Sequence, residues 1–252
     1  MKQRIYKILI VVLWILILIS INIFYNISDK NKKIEASSQP IEENNIDNNI
    51  NNQSTKEVDS STTDWNLTLI NKNNYIPENY ELNLVKIEEN YKVDYRIKEA
   101  AQQMLTDARN AGLEPVICSA YRSSNQQKSL FDKKVKEYKR KGYSQTNAEQ
   151  QASLWVTIPG TSEHEIGLAL DIVEKEYQVL DKEQENTDVQ KWLMEHCYEY
   201  GFILRYPTEK KDITKINYEP WHYRYVGVKD AMLIKEKGFC LEEYIEYLKN
   251  IE

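Results

Sequence analysis

Histidine and cysteine are both scarce, with three of each in 252 residues. Cys118, Cys197 and Cys240 are too few and too scattered for a disulfide scaffold. Their apolar or helical surroundings suit small core residues, with a Cys197–Cys240 bridge left open. His164, His196 and His222 confine any histidine chemistry to three positions. There is no basic stripe. A net charge of −6, from 33 basic and 39 acidic residues, argues against a general nucleic-acid binder. No A-x-A-like cleavage site follows the N-terminal apolar run, and no cysteine there could carry a lipid. There is no internal repeat.

That apolar run extends from Ile8 to Ile21 and continues as Ile23-Phe24-Tyr25, behind Lys2, Arg4 and Lys7. It approaches the roughly 20 residues that cross a bilayer as a helix. Residues 1–27 are therefore expected to be an uncleaved membrane anchor. Basic residues ahead of the run predict a cytoplasmic N-terminus and an external C-terminal body. Residues 28–64 are rich in Asn, Ser, Thr, Glu, Lys and Gln and show no apolar periodicity. Such a stretch buries too little surface to offset its ordering entropy and reads as a flexible tether.

The folded body is expected over residues 65–252. Asp94 caps a predicted helix to about Ala111, with Ile97, Ala101, Met104, Leu105 and Ala108 on one face. Pro115–Ser119 reads as a short buried strand, and a helix follows from Ser124 to Lys141. Thr146-x-x-Glu149 has the form of a capping box opening another helix, to about Val156. Leu168–Val173, Phe202–Tyr206 and His222–Val226 read as strands. A helix capped by Thr187 stops at Gly201, and helices near Val228–Glu236 and Leu241–Asn250 close the chain. Strands and helices do not alternate regularly, which favours α+β: a small antiparallel sheet flanked by helices.

Two histidines lie in unusual contexts. The first is Pro159-Gly160-Thr161-Ser162-Glu163-His164-Glu165-Ile166-Gly167, leading into Leu168-Ala169-Leu170-Asp171-Ile172. Asp171 falls inside an apolar strand, where a carboxylate is costly unless paired, hydrogen-bonded or on a metal. The second is Glu219-Pro220-Trp221-His222 at the entry to an aromatic strand. Two histidines and one carboxylate meet the needs of a catalytic zinc site, with a fourth position left for water. His164, Asp171 and His222 are the ligand candidates, and Glu219 is the candidate base. A buried Asp–His pair also occurs in purely structural networks, so the pattern alone leaves both readings open. Glu163 and Glu165 read as solvated, with a role in orienting His164 as the alternative. His196, in the last turn of a helix, reads as structural.

Ser162-x-His164-x-x-Gly167-x-Ala169-x-Asp171, followed by Glu219-Pro220-Trp221-His222, resembles the signature of the VanY-type D-alanyl-D-alanine carboxypeptidases. Their wider family of zinc peptidases includes LdcB-type L,D-carboxypeptidases and VanX dipeptidases. Ser119-Ala120-Tyr121-Arg122-Ser123-Ser124-Asn125-Gln126-Gln127 is similar to the family's Ser-Gly-Tyr-Arg-Ser element, with Ala120 for the commoner Gly. The three motifs occur in the family's order and together are specific. The resemblance implies one Zn²⁺ per chain on His164, Asp171 and His222, with Glu219 as catalytic acid/base. It also implies that Arg122 binds the substrate or the developing oxyanion, and that Ser124, Gln127 and Ser162 lie near the substrate groove. Without the resemblance, Arg122 would read as pairing with a surface acid.

The expected activity is removal of the terminal D-alanine from peptidoglycan stem peptides outside a bacterial cell. Such trimming would remove a cross-linking donor and the target of glycopeptide antibiotics. The alternatives are an L,D-carboxypeptidase acting on tetrapeptide stems, a non-catalytic wall-binding domain of the same fold, and a structural membrane protein. The expected partners are the stem peptides and, through residues 1–27, the membrane. A monomer is the default expectation, with oligomeric state left open.

Overall fold

The computed structural model describes residues 60–251. The expected anchor, residues 1–27, and almost all of the expected tether, residues 28–64, lie outside the described residues. Among the described residues, no helix is long and apolar enough to cross a membrane.

The elements run β1 (Leu84–Glu88), β2 (Tyr91–Asp94), α1 (Lys98–Asn110), β3 (Pro115–Ser119), α2 (Ser124–Arg140) and α3 (Gln145–Ala152). Then come β4 (Ala169–Glu174), α4 (Asp188–His196), β5 (Phe202–Leu204), α5 (Lys211–Thr214), β6 (His222–Tyr225), α6 (Val228–Lys237) and α7 (Leu241–Lys249). β1 and β2 form an antiparallel hairpin. The other four strands form an antiparallel sheet in the order β3-β4-β6-β5. This is an α+β fold, as the irregular succession of elements predicted.

The sheet owes its position to β4. Leu170 and Ile172 are fully buried on one face and share the main core with Ile117, Tyr223, Met104, Leu105 and Leu193. Residues from α1 and α4 thus cover that face, and each large aliphatic side chain buried there contributes about 1.5–3 kcal/mol. Asp171 belongs to the opposite set of the strand's alternation. A second core joins Leu67, Ile203 and Val226 to α6 and α7, and a small third one holds α2 against α3.

The predicted helices are present with small differences. Asp94 does cap its helix, accepting the Arg96 N–H, but the first turn is a 3-10 segment, Tyr95–Ile97. The third helix begins earlier than its apparent capping box. Ser144, not Thr146, is the N-cap, accepting the Asn147 N–H. The β1–β2 hairpin was not anticipated, because Lys and Glu interrupt its few apolar residues and only Ile87, Val93 and Asp94 are buried. All three cysteines are free thiols, so there is no Cys197–Cys240 bridge.

Candidate metal centre

The site is built on strand register. In the β4–β6 pair Asp171 lies directly opposite His222, and in the β3–β4 pair Ser119 lies opposite Asp171, just past a register shift. Facing residues in an antiparallel sheet point to the same side. One row across three strands therefore carries a hydroxyl, a carboxylate and an imidazole. His222 Nδ1 is 3.0 Å from Asp171 Oδ1.

His164 comes from a 3-10 turn, Glu163–Ile166, that precedes β4. The turn ends at Gly167 with φ +68°, and a Cβ there would lie 2.7 Å from the Asp94 backbone nitrogen. Only glycine lets the turn press so closely on β2. His164 Nδ1–H donates to the Ala120 carbonyl at 2.7 Å, so Nε2 carries the lone pair. Nε2 lies 3.3 Å from Asp171 Oδ2 and is buried without a hydrogen-bond partner. An orphaned acceptor is unusual among buried polar groups. A cation shared with Asp171 would satisfy it. His164, Asp171 and His222 each offer a ligand atom, and these atoms lie within 4.8 Å of one another. Two imidazoles and a carboxylate at this spacing suit zinc with an open coordination position.

Glu219 and Arg122 border the same cavity, of about 190 Å³, which Ser162, Tyr206, Trp221 and Trp155 also line. Glu219 lies in the turn before β6, its Oε2 3.8 Å from His222 Nδ1. Burial disfavours its charge and, together with Asp171 and Glu163, outweighs His222 and Arg122, pushing its pKa up to about 8. Arg122 stands just ahead of α2, where Ser123 and Gln126 form a capping box. Its backbone N–H donates to the His164 carbonyl at 3.2 Å. Its guanidinium donates to Ser119 Oγ at 2.8 Å and Gln127 Oε1 at 3.0 Å, and lies 3.5 Å from Asp171 Oδ2.

The remaining sequence candidates divide. Ser162 lines the cavity. Gln127 is fully buried behind it, holding Arg122 with its oxygen and the Thr157 carbonyl with its nitrogen. Ser124 is exposed on the first turn of α2 and is not among the cavity's lining residues. His196 packs on Trp192 and meets Glu199, away from the centre.

Glu163 and Glu165 are not solvated. Glu165 is buried and accepts the Gly160 N–H at 2.8 Å. Glu163 is fully buried, and its Oε1 accepts from Arg205 Nε at 2.7 Å and Arg224 Nη1 at 2.8 Å. Its Oε2 faces His222 Nε2 at 3.3 Å. Burial alone would raise its pKa, but the two guanidiniums hold it well below the usual carboxylate range. An acid beside a candidate ligand histidine was visible in the sequence. The two arginines that bury it lie about 40 and 60 residues downstream, beyond any local pattern.

The family model described as VanY, D-alanyl-D-alanine carboxypeptidase, matches residues 90–228. This chain belongs to the VanY family. A D-alanyl-D-alanine carboxypeptidase of Enterococcus faecalis is 42% identical over 182 residues, covering 72% of this chain and 66% of that protein. The chain thus spans just under two thirds of that relative's length. A solved structure of a variant of the vancomycin resistance D,D-pentapeptidase VanY, in complex with Zn(II), superposes with a TM-score of 0.66 at 42% identity. That match covers 72% of this chain and 99% of the other. The structure of the LdcB LD-carboxypeptidase matches with a TM-score of 0.61 at 38% identity, over 71% of this chain and 84% of the other. The VanY match gives zinc as the cofactor, in agreement with the donor set described above.

Proposed function

We propose that this VanY-family chain is a zinc-dependent carboxypeptidase that hydrolyses the terminal D-alanine from peptidoglycan stem peptides. The observation that carries the proposal is the orphaned, buried Nε2 of His164, which shares one cavity with Asp171, His222, Glu219 and Arg122. Zinc bound by His164, Asp171 and His222 would polarise the scissile carbonyl and acidify the attacking water towards a pKa of ~7.

The protein's own residues supply the rest. Glu219 takes the water's proton and delivers it to the leaving amine. With its pKa raised to about 8, the Glu219 carboxylate is a stronger base towards the water's proton than it would be at an ordinary carboxylate pKa. Arg122, pinned by Ser119 and Gln127, presents a permanent charge to substrate oxygens, whether a terminal carboxylate or a developing oxyanion. A neighbouring cavity of about 410 Å³ shares Thr157, Tyr206 and Ile216 with the first. It offers room for the upstream part of a peptide.

The likeness to LdcB supports a second reading, an L,D-carboxypeptidase working with the same centre. We further propose that residues 1–27 anchor the chain, that residues 28–64 tether it, and that the domain works outside the cell. Membrane fractionation of the full chain against a chain lacking residues 1–27 tests this. Release of the deleted form alone is the expected result. The zinc requirement is tested by stripping the full chain with a chelator. D-Alanine release from a D-Ala-D-Ala peptide should stop and return when zinc is added.

A further inference from the structure

His222 has two faces with different neighbours. Nδ1 points at Asp171 Oδ1, 3.0 Å away, and Glu219 Oε2 is 3.8 Å from the same nitrogen. Nε2 points away, to Glu163 Oε2 at 3.3 Å. A neutral imidazole carries one N–H, and whichever nitrogen carries it cannot ligate a metal. Glu163 is not free to turn away, because its other oxygen is taken by both Arg205 and Arg224. Those arginines are themselves fixed. Arg205 makes a two-point contact with Glu242 on α7, and Arg224 donates to the carbonyls of Asn66 and Thr68. All three charged groups at the centre of this network, Glu163, Arg205 and Arg224, are almost wholly buried.

We infer that Glu163 is a positioning residue for the metal: it accepts the Nε2 proton of His222 and so holds the tautomer that leaves Nδ1 free to ligate. The inference rests on the zinc site proposed above. A carboxylate behind a ligand histidine fixes its ring and raises its basicity, and removing such a partner typically weakens metal binding about 10–100-fold. Glu163 also differs from an ordinary counter-ion. Both arginines converge on Oε1, which leaves Oε2 to the imidazole.

The test is zinc affinity of the full chain, measured by chelator competition on wild type, Glu163→Gln and Glu242→Gln. Glutamine keeps the shape and can still accept from the arginines through its oxygen. Its NH₂ then faces His222 Nε2 and favours the tautomer with the proton on Nδ1. Glu163→Gln should bind zinc about 10–100-fold more weakly. Glu242→Gln loosens the same network without touching His222 and should bind within about threefold of wild type, on the same reasoning. Equal losses in the two variants, or no loss in Glu163→Gln, would overturn the inference. If Glu163→Gln does not fold, ¹⁵N NMR of His222 in the zinc-loaded wild type decides. A protonated Nε2 with zinc on Nδ1 supports the inference, and zinc on Nε2 overturns it. A wild-type chain that binds no zinc would instead overturn the metal site itself.

Discussion

At the residue scale, the centre keeps its two neighbouring histidines in different protonation states. Burial and then Arg122 push His164 down to about 4, which leaves it neutral across the working range with its Nε2 lone pair available. Burial would lower His222 as well, but hydrogen bonds to Asp171 and Glu163 outweigh it and raise His222 to about 9 from 6.5. A metal ligand must be the neutral imidazole, so zinc competes with a proton there. Apparent zinc affinity should therefore climb by about tenfold per pH unit as pH rises towards about 9, then level off. Chelator competition at several pH values checks this, and a flat profile would count against it. The sign for stability without zinc is the opposite. A raised folded-state pKa stabilises the fold below pH 6.5, and that contribution is lost as pH rises through about 9.

Glu219 and Arg122 make separate predictions. Glu219→Gln should lower kcat by about 10²–10⁴-fold while zinc content and thermal stability are kept. A variant that turns over normally would remove Glu219 from the chemistry. Arg122→Lys keeps the charge but loses the fork that meets Ser119 and Gln127. It should lose kcat/KM by roughly the 10²–10³ expected of a misplaced oxyanion donor, with zinc affinity unchanged.

At the scale of elements, the 3-10 turn and the β4–β6 register bring the ligands together. Gly167 is where the turn is most easily broken. Its φ of +68° and the 2.7 Å approach to the Asp94 nitrogen exclude a Cβ without movement of β2 or the turn. Gly167→Ala should cost at least about 1–3 kcal/mol in chemical denaturation. Zinc binding should weaken too, because His164 sits in that turn.

The legibility of these elements in the sequence follows from the range of the interactions that define them. β4 was readable because Ala169, Leu170, Ile172 and Val173 are apolar around the single Asp171, and β6 because Tyr223 and Tyr225 alternate with polar residues. The helices were readable from periodicity and caps, although Thr146 imitated a cap that Ser144 supplies. His164, Asp171 and His222 were legible as candidate donors from their local contexts, and the family resemblance, not the pattern alone, favoured a zinc site over a structural Asp–His pair. The burial of Glu163 could not, since it depends on Arg205 and Arg224 arriving from β5's end and β6. Likewise, nothing local distinguishes Gln127, which is buried behind Arg122, from Ser124, which is exposed one helical turn earlier.

At the scale of the whole molecule, a buried acid–base network ties the centre to both ends of the described chain. Arg224 reaches Asn66 and Thr68, and Arg205 reaches α7. The C-terminal helices therefore support the centre as well as the second core. The central claim is that this scaffold releases D-alanine by zinc chemistry. The most direct measurement incubates the full chain and zinc with a pentapeptide stem ending in D-Ala-D-Ala and with the matching tetrapeptide. Glu219→Gln serves as the control, and D-alanine release is followed by mass spectrometry. The account predicts release from the pentapeptide, slowed by about 10²–10⁴-fold in the Glu219→Gln control. Release from the tetrapeptide alone would move the chain to the L,D branch. Release from neither by a zinc-loaded chain would contradict the account.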